Sequence, residues 1–184
     1  MTHSVPLSDT PISSDQAHDI EAWLHTMVHD LRLRIDSGAL RDPLMIGIHT
    51  GGVWVAKRLH TALGLGEPLG KLSIAFYRDD FTHIGLHPQV SPSSLPFDIE
   101  GRDIILVDDV LYTGRTIRAA MNELFDFGRP SRVLLAVLCD RPGRELPIQA
   151  DVVGASFMLD HHEEIVLSGP EPLTLSIQQR ALEA

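Results

Sequence analysis

The run Ile104-Ile105-Leu106-Val107 is the strongest constraint on how this chain folds. Four consecutive apolar residues between charged ones predict a strand covered on both faces. Such strands belong to a parallel sheet held between layers of helix. Asp108 and Asp109 follow where that strand is expected to end, and Val110, Leu111, Tyr112, Thr113, Gly114, Arg115 and Thr116 come next. After Gly114, the spacing of Ile117, Ala120, Met121 and Leu124 predicts a helix, which Gly128 and Pro130 stop. A loop that enters a helix N-terminus presents unpaired backbone N–H groups and a partial positive charge, and so favours an anion. Gly114 lets the backbone approach that anion closely. The hydroxyls of Thr113 and Thr116 and the guanidinium of Arg115 add donors. A helix cap and a solvated acid would explain an isolated Asp-Asp pair. Beside Thr-Gly-Arg-Thr, the two acids read instead as acceptors for sugar hydroxyls or a hydrated cation, because carboxylates are rarely buried unless paired or ligated. Acceptors and phosphate donors on one turn suit a sugar phosphate.

A second cluster, Gly47-Ile48-His49-Thr50-Gly51-Gly52, repeats the strand-then-helix pattern, with Leu44 to Ile48 as the strand and Val53 to Leu63 as the helix. Thr50, Gly51 and Gly52 form a turn able to aim N–H groups at an anion. Two such loops at one sheet edge point to a ligand with two phosphate groups. A third cluster, Asp140-Arg141-Pro142-Gly143-Arg144-Glu145, follows the buried strand Arg132 to Leu138, and reads equally as a substrate edge or a solvated turn.

The rest of the chain fits one α/β domain. Ser14 to Ile35 is a helix candidate with Ile20, Trp23, Leu24, Met27, Leu31 and Ile35 on its apolar side, and that stripe is most simply core. Leu72 to Tyr77 and Val152 to Phe157 read as strands, and Leu173 to Leu182 as a last helix. The stretch Arg78 to Phe97 has little periodicity, and a loop of that length suggests a lid. Alternating strands and helices predict a mostly parallel sheet with helices on both faces, binding its ligand beyond the carboxyl ends of the strands.

Composition removes several alternatives. The net charge of −10, with Lys57 and Lys71 the only lysines, argues against broad nucleic-acid binding. No run approaches the roughly 18 apolar residues of a membrane span. Met1 to Asp15 is polar, with Pro6 and Pro11, and reads as a mobile arm of a cytoplasmic protein. The single cysteine, Cys139, closes an apolar run and is expected to be an inert buried thiol. His161-His162-Glu163-Glu164 offers metal-ligand types, but neighbours on an extended chain point apart. His25 and His29 share a helix face without a third partner for zinc.

Together these residues resemble the type I phosphoribosyltransferases. Asp108-Asp109 with Thr113-Gly114-Arg115-Thr116 is similar to that superfamily's motif for phosphoribosyl pyrophosphate (PRPP). Val107 to Thr116, Phe127-Gly128-Arg129-Pro130, Tyr77-Arg78-Asp79-Asp80 and Arg144-Glu145-Leu146-Pro147 resemble segments of the PyrR family, pyrimidine operon attenuation regulators and uracil phosphoribosyltransferases. The likeness runs from Ala17 to Phe157. It implies a twisted, mostly parallel sheet flanked by helices, with residues 16–184 as one domain after an arm at 1–15, and a flexible hood over 78–97. It implies transfer of the phosphoribosyl group from PRPP to uracil, giving UMP and pyrophosphate, in a homodimer or higher oligomer that binds pyr messenger RNA. Among the residues, it implies that Asp108 and Asp109 hold the ribose hydroxyls and that residues 110–116 hold the 5′-phosphate. Thr50, Gly51 and Gly52 match the pyrophosphate loop, where superfamily members often have a non-proline cis peptide. Arg78, Asp79 and Asp80 open the hood, and Asp140 and Arg141 flank the base and pyrophosphate. Mg²⁺ is expected to arrive with PRPP, with Asp108 or Asp140 as its protein contact. Many members have Lys-Thr-Arg-Gly where this chain has His49-Thr50-Gly51-Gly52, which removes one pyrophosphate cation. An arginine of the early helix is also replaced, by Thr26, and Phe81-Thr82-His83-Ile84 stands where members are lysine-rich. Both changes lower the charge available to RNA. A regulator with little turnover, or a transferase for another base, are the competing readings.

Overall fold

The computed structural model describes residues 19–74 and 92–179. Five strands, β1 (Leu44–Ile48), β2 (Gly70–Leu72), β3 (Asp103–Leu111), β4 (Arg132–Asp140) and β5 (Val152–Ser156), form one sheet. All its pairings are parallel, in the order β2-β1-β3-β4-β5. Helices α1 (Ile20–Asp36), α2 (Gly51–Leu63) and α3 (Arg115–Asp126) flank it. An antiparallel ribbon of β6 (Glu163–Ser168) and β7 (Thr174–Gln179) follows.

The strands are apolar throughout because both sheet faces are covered. Met45, Ile105, Val107, Leu134, Ala136 and Leu138 join Leu24, Met27 and Leu31 of α1 and Val55 and Leu59 of α2. Their sequence neighbours Leu44, Ile46, Ile104, Leu106, Leu135 and Val137 pack with Ile117, Ala120 and Leu124 of α3. This alternation is the period-two geometry of a strand, displayed on two cores instead of one core and water. Burying each such aliphatic side chain contributes about 1.5–3 kcal/mol. At the edge of the α1 core, Trp23 meets Phe157 edge to face, ring centroids 5.5 Å apart.

Several expectations need correction. The predicted helix over Leu173 to Leu182 is instead β7, through Gln179. Leu167 and Leu175 are buried, with Ile165 and Ile177 packed partly against the α1–α2 core, so a period-two pattern prevailed. Leu72 ends β2 rather than starting a strand, and 75–77 lie outside the described residues. Helix α1 begins at Ile20 after Asp19, and residues 14–18 also lie outside, as does the arm. Of the lid, Arg78, Asp79 and Asp80 and the rest of 75–91 lie outside the described residues. Residues 92–97 do not read as lid: Ser94 bridges Lys71, and Leu95 and Phe97 pack on the α3 core.

Candidate active site

The sheet order locates the crevice. From β1 the chain crosses to β2 on one side, while β3 lies on the other, so the carboxyl ends of β1 and β3 bound a gap between diverging connections. The two sequence clusters sit at those ends. β1 pairs with β3 as far as Gly47 opposite Val107. β3 then runs on beside β4, to Leu111 opposite Asp140. Asp108 and Asp109 therefore lie inside a strand rather than at its end. Pairing with β4 overrides the loop expected of two acids, and the slot left beside them on the β1 side receives the start of α2.

That slot explains the glycines. Gly51 and Gly52 are the first two residues of α2, not loop residues before it. A Cβ built on Gly51 would sit 2.1 Å from Oδ2 of Asp109. One on Gly52 would sit 2.6 Å from the carbonyl oxygen of Val107 and 2.9 Å from Cα of Asp108. The absence of two side chains thus brings the helix start against the acids, joining the first and second clusters in one site. No N-cap side chain bonds the N–H groups of Gly51 and Gly52 at the start of α2 or of Thr116 in α3, while the Val53 N–H is taken by the Thr50 carbonyl and the Arg115 N–H by Oγ of Thr113. The His49–Thr50 peptide is cis.

Asp108 is buried and Asp109 half-buried. Oδ1 of Asp109 accepts the Val110 N–H at 3.0 Å, and Asp109 takes no part in the ion pairs among the described residues. Burial, and then the charge of Lys71, hold His49 below the usual histidine pKa. Burial, then Asp109 and Asp140, push the Cys139 thiol far up, so it is no nucleophile near neutral pH.

The turn Tyr112-Thr113-Gly114 carries the chain from β3 into α3. Gly114 has φ 91°, a left-handed conformation costly for any side chain. Oγ of Thr113 accepts the Arg115 N–H at 3.2 Å. Nε of Arg115 donates to Glu145 at 2.6 Å, in a pair with both side chains about half exposed.

The third cluster folds back onto that turn. The carbonyl of Thr113 accepts the N–H groups of Glu145 and Leu146 at 3.0 and 3.1 Å. Arg141 does not extend into the crevice. It is 4% exposed, its guanidinium lies 4.2 Å from the centre of the Tyr112 ring, and it donates to the carbonyls of Asp160 (2.9 Å) and Glu163. One carboxylate oxygen of Asp140 accepts from Arg144. Sequence pattern gives Arg144 no separate role, since an arginine four residues after an acid within a turn is common on solvated surfaces. Among the described residues no group of three or more His, Cys, Asp or Glu could hold a metal ion. Nor is any described helix long and apolar enough to cross a membrane.

Comparison with known proteins follows the same residues. A family model described as phosphoribosyl transferase domain matches residues 18–167. A protein of Nitrosococcus oceani named bifunctional protein PyrR is 58% identical over 162 residues, covering 87% of this chain and 92% of that one. A Pseudomonas fluorescens protein of the same name is 55% identical, covering 88% and 96%. Among solved structures, the hypoxanthine phosphoribosyltransferase of Trypanosoma cruzi superposes with TM-score 0.65 at 18% identity, over 89% of this chain and 94% of that one. That likeness is one of fold.

Proposed function

The chain belongs to the PyrR family of the phosphoribosyl transferase superfamily, and from that membership we propose that it transfers the phosphoribosyl group of PRPP to uracil, releasing UMP and pyrophosphate. The observation that carries this reading is the contact of the two clusters: Gly51 against Asp109 and Gly52 against Asp108. PRPP has a ribose between a 5′-phosphate and a pyrophosphate. The crevice has carboxylates between two helix starts.

In this reading Tyr112 to Thr116 take the 5′-phosphate through backbone N–H groups, the hydroxyls of Thr113 and Thr116, and Arg115. Val110 and Leu111, expected with them, are strand residues of β3, and the Val110 N–H is already given to Asp109. Asp108 and Asp109 accept the ribose hydroxyls. Thr50, Gly51 and Gly52 take the pyrophosphate at the start of α2. Arg78, Asp79 and Asp80 act from the hood. Asp140 and Arg141 border the base, Arg141 by holding Tyr112 and the chain before β6. The C1′–oxygen bond to pyrophosphate breaks, its electron pair leaving with the pyrophosphate, while N1 of uracil bonds to C1′ and its proton passes to the released pyrophosphate or to water. Positive charge builds on the sugar as the leaving group departs. The fixed carboxylates beneath the ribose oppose that charge, and the α2 donors stabilise the departing anion. Among the described residues, Cys139 and the histidines lack the partnering of a nucleophile, which supports direct displacement.

The donor set fits Mg²⁺, a hard cation that takes oxygen ligands and keeps waters. Asp108 or Asp140 would be its protein contact beside the substrate phosphates, and bound there it would neutralise charge on the leaving pyrophosphate. Residues 16–184 are taken as one domain, since the family match spans 18–167 and Leu175 of β7 is buried with Leu167. Exposed Phe125, Phe127 and Met158 offer surface for a homodimer or higher oligomer in a cytoplasmic protein.

A turnover screen of uracil, orotate, hypoxanthine, guanine and xanthine with PRPP and Mg²⁺ tests the reading. UMP formation from uracil alone is expected. Turnover of a purine in its place refutes the base assignment, and none with any base refutes the transferase. The curated relatives' printed name, bifunctional, favours a second activity. That activity is binding of pyr messenger RNA under uridine nucleotide control. With a net charge of −10, it must rest on local sites. Gel shifts with pyr leader RNA at stated salt, with and without UMP, test it.

A further inference from the structure

Arg144 ties the phosphate turn to the segments on either side of it. Its Nη1 donates to the carbonyls of Leu111, Tyr112 and Arg141, at 3.2 Å for Leu111 and 2.8 Å for Arg141. Its Nε donates to the carbonyl of Ile148 at 3.0 Å, and its Nη2 to the carboxylate of Asp140. One planar cation thus joins the last residue of β3, the first residue of the turn, the end of β4 and the segment after it. Its side chain is 25% exposed, so these bonds are partly shielded from water. Leu111 and Tyr112 directly precede Thr113 and Gly114, and Oγ of Thr113 accepts the Arg115 N–H while the Gly114 carbonyl accepts the Arg118 N–H, so the placement of this turn sets where α3 starts.

We propose that Arg144 is a positioning residue for the 5′-phosphate site: it acts through the backbone of the Tyr112-Thr113-Gly114 turn and not by touching substrate. The inference rests on the transferase reading of the preceding subsection. The geometry separates it from a general stabilising role. Two of its acceptors, the carbonyls of Leu111 and Tyr112, lead into a turn whose own hydrogen bonds come from the same segment, at Glu145 and Leu146. Carbonyls pulled toward a fixed guanidinium leave the opposite N–H groups of those peptides facing outward, which is the orientation an anion needs. A lysine has a single point of charge and cannot span acceptors on both sides of the fork.

The experiment is steady-state kinetics of Arg144→Lys and Arg144→Ala with PRPP, Mg²⁺ and uracil, beside thermal unfolding. For Arg144→Lys, KM for PRPP is expected to rise by about tenfold or more, as for a displaced positioning group. KM for uracil should stay at the wild-type value. Added guanidinium chloride, against sodium chloride at equal ionic strength, should restore PRPP affinity to Arg144→Ala. An unchanged KM for PRPP in Arg144→Lys overturns the proposal, as does an equal rise for both substrates. Should Arg144→Ala fail to fold, Arg144→Lys decides alone. Should Arg144→Lys also unfold, the residue is a structural one and the proposal is wrong. Wild-type protein that neither turns over nor binds PRPP removes the transferase reading itself. Wild-type affinity with an unaffected Arg144→Lys removes only this inference.

Discussion

The two glycines at the start of α2 make the sharpest test of how the site is built, because the same methyl group meets different atoms one residue apart. In Gly52→Ala the new Cβ lands 2.6 Å from the Val107 carbonyl oxygen and 2.9 Å from the Asp108 Cα. Both are backbone atoms of a central strand and cannot yield without moving β3. Overpacking of that kind costs about 1–3 kcal/mol. At about 2–4 °C per kcal/mol for a chain of this size, Tm should fall by about 2–12 °C. In Gly51→Ala the new Cβ meets instead the carboxylate end of Asp109, 2.1 Å from Oδ2 and 2.6 Å from Cγ. Rotation of that side chain moves both atoms away and leaves only its Cβ close, at 3.0 Å. Replacing glycine by alanine inside a helix also gains up to about 1 kcal/mol. Stability should therefore stay near wild type, while Asp109 is displaced from the position proposed to hold the ribose. Thermal unfolding followed by circular dichroism, and PRPP-dependent UMP formation, read the two effects. Gly51→Ala should be folded with kcat/KM for PRPP down by about a hundredfold, the penalty of a misplaced catalytic group. Gly52→Ala should be the less stable of the two. If Gly52→Ala melts with wild-type protein, or Gly51→Ala keeps wild-type kcat/KM, the close approach has been misread.

Other expectations follow from single contacts. Asp109→Asn keeps shape but removes charge, and should lower kcat by about tenfold or more with Tm unchanged; wild-type turnover would refute the role of this acid. Arg141→Met leaves the carbonyls of Asp160 and Glu163 without their donor and should destabilise by about 2–3 kcal/mol, or about 4–12 °C in Tm; an unshifted Tm would mean that the β4 end and the β6 ribbon are held another way. His49 has a lowered pKa in the fold, so acid protonates the unfolded chain first. Stability is then full above its ordinary pKa of about 6.5 and declines as pH falls through that value. His49→Gln should flatten the decline of Tm between about pH 7 and pH 5, and identical profiles would assign the proton elsewhere.

The central strands β1, β3 and β4 and the two glycine-bearing segments that follow β1 and β3 are legible in the amino-acid sequence, because both depend on short-range order, whereas β6 gave no such signal. A strand covered on both faces needs a run such as Ile104 to Val107, and α3 needs its apolar residues at helical spacing after Gly114. The resemblance placed the two acids, the Thr-Gly-Arg-Thr turn and the Thr-Gly-Gly loop in one site. Leu173 to Leu182 shows the limit. Leu173 and Ile177 fit a helix face as well as a strand, and pairing with β6 decided between them. Nor did the local pattern keep Asp108 and Asp109 inside β3, because continued pairing with β4 lies in a partner strand about thirty residues away.

The sequence by itself determined the layered α/β architecture, the family and the chemical types proposed to take a sugar phosphate. Periodicity, turn residues and motif spacing are local, and each acts over a few residues. The tertiary structure alone decided how tightly these parts meet. It placed Gly51 and Gly52 against the two acids, turned Arg141 onto Tyr112, and gave Arg144 the carbonyls of Leu111 and Tyr112. Those are contacts between backbones and side chains far apart in the chain, fixed by how the strand order folds β1, β3 and β4 to one edge.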